Sequence, residues 1–149
     1  MLEVARADPR DPGPRALLEA SHALMASLFP AEDNHYLEID DLVAPGIHFF
    51  AAREGDVTLG TGALAERKGY GEIKSMFTAP EARCKGVAAA ILTRLEAEAR
   101  TLGLGRICLE TGDSLHAAHT LYERHGFARC GPFGDYTESS TSVFMKKRL

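Results

Sequence analysis

The stretch APEARCKGVAAAIL, residues 79–92, begins as a loop and ends as a helix. Pro80 breaks whatever precedes it, and small residues follow through the turn. Apolar residues then recur at helical spacing in GVAAAILTRLEAEARTLG, closed by Gly103. The first turn of a helix carries N–H groups without partners, and its dipole is positive there. Gly86, Ala88 and Ala89 leave that backbone accessible, while Arg83 and Lys85 add positive charge. Such a turn suits a phosphate di-anion. It is neither a G-x-x-x-x-G-K-[ST] loop nor a G-x-G-x-x-G turn. An ordinary strand-to-helix turn has the same residues, so the turn alone leaves both readings open.

Working outward, LEVARA (2–7) reads as a short edge strand and PRALLEASHALMASLF as an amphipathic helix. DNHYLEIDDLV predicts a second, shorter helix with Asp33 or Asn34 as its N-cap. IHFFAARE and VTLGTGALAER flank Gly55-Asp56 as a hairpin, and GYGEIKSMFTA adds a third strand. After the long helix come a buried strand, RICLETG, and a helix, SLHAAHTLYERHG. Two further strands, FARC and STSVFMKKRL, complete the chain. The order predicts one mixed α/β sheet, antiparallel in its N-terminal half, with a βαβ unit after residue 70. Without repeats or low-complexity linkers, residues 1–149 read as a single domain.

The bulk composition is that of a soluble globular chain: 149 residues, 45% hydrophobic, 26% charged. A formal net charge of −4 argues against a general nucleic-acid binder. No apolar run reaches the roughly 20 residues that span a bilayer, and MLEVARADPRDPGPR does not read as a signal peptide. Cys84, Cys108 and Cys130 are too few and too scattered for a disulfide scaffold or a zinc site. The expectation is a reduced, cytoplasmic protein without a metal. His116 and His119 read as solvated helix residues.

The spacing Arg83-x-x-Gly86-x-Ala88 resembles the pyrophosphate loop of the GNAT superfamily of acyl-CoA-dependent N-acyltransferases, [Q/R]-x-x-G-x-[G/A]. LETGDSLHAAHTLYERHGF resembles that family's fifth strand and following helix, with its common LYE..GF ending. The two motifs stand in the family's order, and the resemblance covers most of the chain. It implies a mixed, mostly antiparallel sheet of about seven strands flanked by about four helices, with a central βαβ cofactor unit. It further implies acetyl-CoA as co-substrate, a small-molecule amine as acceptor, and direct transfer in a ternary complex. A non-catalytic acyl-CoA sensor on the same fold is the alternative, and a homodimer is compatible with either.

Residue by residue, the resemblance assigns cofactor contacts to Met76, Phe77, Thr78, Arg83, Cys84, Lys85, Gly86, Val87, Ala88, Ala89, Leu115 and Ala118. The N–H of Met76 or Phe77 becomes the oxyanion donor. Tyr122 becomes the general acid toward the CoA sulfur, with core packing as its plainer role. Glu72 becomes the general base, with pairing to Lys74 as its plainer role. Phe29, His35, Tyr36 and Glu72 fall on the acceptor side, where Glu38, Asp40 and Asp41 add negative charge. Two positions depart from the pattern: Cys84 stands where glycine is common, and Leu115 where many members carry asparagine. An acyl-cysteine on Cys84 is disfavoured, because the pyrophosphate loop lies a whole pantetheine arm from the thioester.

Overall fold

A computed structural model describes residues 1–149. The strands are β1 (Leu2–Arg6), β2 (Ile47–Glu54), β3 (Val57–Arg67), β4 (Tyr70–Thr78), β5 (Arg106–Gly112), β6 (Ala128–Cys130) and β7 (Ser142–Arg148). The helices are α1 (Pro12–Leu28), α2 (Val87–Thr101) and α3 (His116–Arg124). One sheet holds every strand, in the order β1-β2-β3-β4-β5-β7-β6. All neighbours are antiparallel except β4 and β5. A parallel pair needs a crossover, and α2 supplies it. The expected mixed sheet of seven strands is present.

The alternation of the strands decides which face each side chain occupies. Ile73, Ile107, Leu109 and Met145 point to one face, where Ile91, Leu92 and Leu95 of α2 cover them in the main core. These three, with Ala99, recur at helical spacing along α2, which is why this segment lies along the sheet. Gly62 of β3 lets α2 come close: a Cβ there would sit 2.5 Å from Ile91 Cγ2. The opposite face is covered by a smaller cluster of Leu18 from α1 with Leu42, Phe49 and Ala63.

The expected helix over residues 33–43 does not form. Two 3-10 turns, Ala31–Asp33 and Ile39–Val43, replace it, so there are three α-helices. Local side-chain bonds explain the break. Asn34 does not cap a new helix; its amide reaches back to the carbonyls of Phe29 and Pro30, at 3.4 and 3.3 Å. Glu38 and Asp41 then form a capping box that starts the second turn at Ile39. Pro45 ends that turn by holding Ala44 extended, at ψ 153°.

Two irregularities shape the middle of the sheet. The parallel pairing of β4 with β5 covers only Gly71↔Ile107 and Glu72↔Cys108, although both strands run on. Beyond Glu72 they diverge, leaving a split with unpaired backbone on its walls. On the other edge of β4, Thr61 pairs with Phe77 but Ala63 with Lys74, so Ser75 and Met76 together oppose Gly62. This is a β-bulge, and Ser75 holds φ +58° within it.

Candidate active site

The turn before α2 opens the site. The first intrahelical bond of α2 runs from the Ala90 N–H to the Gly86 carbonyl at 3.0 Å, and no side chain caps the helix. The N–H groups of Val87, Ala88 and Ala89 therefore leave the first turn unpaired. Gly86 sits at φ +79°, where glycine is favoured, and nothing lies within 4 Å of where its Cβ would be. Arg83 and Lys85 are exposed and make no ion pair. Two cations without an ion-pair partner and a set of unpaired N–H donors thus stand in one exposed turn, a combination that suits a pyrophosphate.

Cys84 also has a left-handed backbone, at φ +62°. A side chain there costs about 1–2 kcal/mol, which accounts for the preference for glycine at this place. Cys84→Gly removes that strain while adding about 0.4–1 kcal/mol of unfolded-state entropy. The variant should keep or slightly raise the melting temperature in differential scanning calorimetry. A clear fall would contradict the strain argument.

Past the last β4–β5 pair, Met76, Phe77 and Thr78 stand half-buried on one wall of the split. Leu115 and Ala118, also half-buried, lie at the start of α3, just beyond the end of β5. Tyr122, on the same helix, is 5% exposed and packs edge-on against Phe127, with ring centroids 5.6 Å apart. Burial lifts its phenol well above the ordinary tyrosine value, so it keeps its proton at any working pH. Its hydroxyl makes no hydrogen bond, yet the only fully enclosed side-chain polar atom without a partner is Ser75 Oγ. The Tyr122 hydroxyl therefore keeps contact with solvent: it has a packed ring and a free proton.

On the opposite face, Glu72, Lys74 and Glu110 alternate away from α2. Glu72 is 3% exposed, and both of its oxygens are engaged. Oε1 accepts from Arg67 Nε at 3.0 Å. Oε2 accepts from the Tyr136 hydroxyl at 2.5 Å and lies 3.5 Å from Lys74 Nζ. Lys74, 8% exposed, also donates to the His35 carbonyl at 2.7 Å and to the Tyr136 oxygen at 3.0 Å. Burial, then the hydrogen bond and charge of Glu72, hold the Tyr136 phenol far above its ordinary value. This network ties the loops that carry His35 and Tyr136 to β4. Both Glu72 oxygens are thus taken up by partners within the protein.

Glu110 differs. Only Oε2 is held, by Ser142 Oγ at 2.8 Å, and Oε1 has no protein partner. Its pKa is raised, chiefly by burial and to a lesser degree by Glu72, with Ser142, His35 and Lys74 opposing. Its register continues that of the Glu72↔Cys108 pair, which sets it across the split from Lys74.

Of the expected acceptor-side residues, three meet here. Phe29 covers Gly112 so closely that a Cβ on the glycine would lie 2.3 Å from its Cζ. His35 packs edge-on against Tyr136 at 5.2 Å, and Glu72 anchors the floor. Tyr36 turns away and stacks on His22 of α1, 4.1 Å between centroids. The acidic cluster does not converge on the site either. Glu38 and Asp41 cap each other's turn, and Asp40 accepts from Arg10 Nε at 3.1 Å. His116 is exposed as expected, whereas His119 is buried, with Nε2 2.8 Å from the Gly112 carbonyl.

A family model for the acetyltransferase (GNAT) family matches residues 15–127. The chain belongs to the GNAT acetyltransferase family. It is 40% identical to an IAA acetyltransferase of Azospirillum brasilense over 99% of this chain and 98% of that protein. It is 44% identical to the uncharacterized N-acetyltransferase YsnE of Bacillus subtilis, strain 168, over 84% of this chain and 85% of that one. Among solved structures, a Klebsiella pneumoniae protein named for the acyl-CoA N-acyltransferases superposes with a TM-score of 0.83 at 30% identity. That match covers 100% of this chain and 98% of the other.

In this GNAT acetyltransferase, two residues of the face that carries Glu72 escaped sequence reasoning, Glu110 and Tyr136. Glu110 carried a signal: a carboxylate inside the otherwise core-like strand RICLETG. Tyr136 lies in the irregular segment GPFGDY, whose pattern gives no face to read. The pairing of Lys74 with Glu72, expected as the plainer role of that carboxylate, is present at 3.5 Å. No helix of the chain is long and apolar enough to cross a membrane.

Proposed function

We propose that the chain transfers an acetyl group from acetyl-CoA directly to the primary amine of a small molecule, with Tyr122 as general acid and Glu110 as general base. The observation that carries this reading is the split between β4 and β5. One end faces the unpaired N–H groups of α2, with Tyr122 on the α2 face and Glu110 on the other. The residues present fit acetyl-CoA, a substrate here. Arg83, Lys85 and the N–H groups of Gly86 to Ala89 would hold its pyrophosphate. Met76, Phe77 and Thr78 would receive the pantetheine arm along their unpaired backbone, with Leu115 and Ala118 opposite.

Two proton problems set the roles. An alkyl ammonium, with a pKa of roughly 10, must lose a proton before its nitrogen can attack. Glu110 Oε1 is free to take it, directly or through a water, and its raised pKa suits it to hold that proton, whereas both oxygens of Glu72 are already engaged. The N–H of Met76 or Phe77, at the bulge beside the split, would meet the oxygen that gains charge as the nitrogen adds. Tyr122 presents its proton to the departing sulfur, a thiolate of pKa about 8.5. The negative charge of Glu110 also attracts the cationic amine. Glu72 and Lys74 hold the acceptor loops and leave the proton transfer to Glu110.

A panel of amines and amino acids, with thiol release from acetyl-CoA as the readout, tests the function. At least one amine should accelerate thiol release and gain one acetyl group by mass spectrometry. Tight acetyl-CoA binding without transfer to any amine would favour the sensor reading.

The loop assignment has its own test. Acetyl-CoA should raise the melting temperature by binding only the native state. Gly86→Ala and Gly86→Glu share the cost of a side chain at φ +79°, but only the glutamate sets negative charge against the pyrophosphate. The alanine variant should keep most of the shift and the glutamate variant should lose it. Equal shifts in both would remove the phosphate from this turn.

A further inference from the structure

The bulge in β4 holds a hydroxyl with no visible purpose. Ser75 Oγ is the one enclosed side-chain oxygen or nitrogen in the protein without a hydrogen-bond partner. Such a group costs stability wherever it is buried. Its backbone adds to that cost, since φ +58° is strained for any residue with a Cβ. Asparagine or glycine would sit there more easily. Two costs at one residue, where the bulge meets the split, mark a position held for another reason.

The surroundings indicate the reason. Ser75 lies three residues past Glu72, the last residue of β4 paired with β5, and so on the wall of the split. Its carbonyl is turned to β3, where it accepts from Thr61 Oγ1 at 2.8 Å. It immediately precedes Met76, one of the two candidate oxyanion donors. The residue as a whole is only half-buried, although its hydroxyl is enclosed. A rotation about χ1 therefore moves the hydroxyl without moving the backbone. A hydroxyl stored without a partner loses nothing when it turns to an incoming acceptor.

We infer that Ser75 Oγ donates a hydrogen bond to the thioester carbonyl of bound acetyl-CoA, beside the backbone N–H of the bulge. The assignment rests on the acetyl-CoA reading of the split. It makes Ser75 a second donor to the oxygen that gains charge during transfer, and gives the strained bulge a role in the reaction.

CoA lacks only the acetyl group, whose one hydrogen-bond acceptor is the thioester carbonyl. Comparing the two ligands therefore isolates contacts to that group from those to the rest of the molecule. Isothermal titration calorimetry of the wild type, Ser75→Ala and Ser75→Gly with acetyl-CoA and with CoA provides the test. The glycine variant relieves the φ strain and the alanine variant keeps it, so the two guard against a folding artefact. Both should weaken acetyl-CoA by about threefold to tenfold relative to CoA, the range of one neutral hydrogen bond. Neither should lower the melting temperature, because each removes an unpartnered hydroxyl. An unchanged ratio of the two affinities, or an equal loss for both ligands, overturns the assignment while leaving the acetyl-CoA site standing. A wild-type protein that binds neither ligand overturns both.

Discussion

Tyr122→Phe should lower kcat by on the order of 10²-fold or more, within the range of general acid catalysis. Phenylalanine keeps the ring that packs on Phe127 and removes only the unpartnered hydroxyl. The acetyl-CoA-induced melting shift should persist, because cofactor seating depends on α2 and not on this proton. Burial already keeps the phenol protonated, so the wild-type profile should show no alkaline loss from Tyr122 in the neutral range. Turnover near the wild-type value, measured with the best amine of the panel, would return Tyr122 to a packing role. A variant that also loses stability is separated from this outcome by recording the melting curve on the same sample.

The second large effect distinguishes the two buried carboxylates. Glu110→Gln should lower kcat/KM by about 10²-fold or more and abolish the acid limb of its pH profile. The sign follows from the raised pKa: below it Glu110 holds a proton and cannot take one from the amine, so activity climbs as pH rises through it. The same shift means that the folded state binds this proton more tightly than the unfolded chain. Ionisation of Glu110 thus erodes stability as pH increases past the unfolded value. Glu110→Gln should therefore not melt lower at neutral pH. Glu72→Gln should behave in the opposite way. It weakens contacts to Arg67, Lys74 and Tyr136 at a site 3% exposed, at a cost on the order of 3 kcal/mol. Its acid limb should stay. If Glu72→Gln loses the limb and Glu110→Gln keeps it, the roles are reversed.

The contrast between these carboxylates shows what could be read from the residues alone. Strand-like apolar runs bounded by turn residues placed the strands, and the 3.6-residue period of α2 with Gly103 behind it placed the central helix. The turn at Arg83–Ala89 was legible because it depends on local backbone: a glycine at positive φ, small neighbours, and no cap. The helix expected over residues 33–43 failed because Asn34, Glu38 and Asp41 bond locally and compete with helical pairing. The face that carries Glu72 and Glu110 was the least legible part. Whether Glu72 is free or bound depends on Tyr136, which lies 64 positions away. Nothing in EIKSMF announces a phenol from a distant loop. The same holds for Ser75, whose strain comes from β3 having one residue where β4 has two.

The route of the acetyl group is tested most directly by intact-protein mass spectrometry before and after an amine is added. The enzyme is mixed with stoichiometric acetyl-CoA, sampled, and then given the best acceptor from the panel. Direct transfer across the split requires an unmodified protein and no released thiol in the first sample. Thiol and acetylated amine should then appear together in the second. A protein carrying one acetyl group, at Cys84 or elsewhere, with thiol released before any amine is present, would contradict the account.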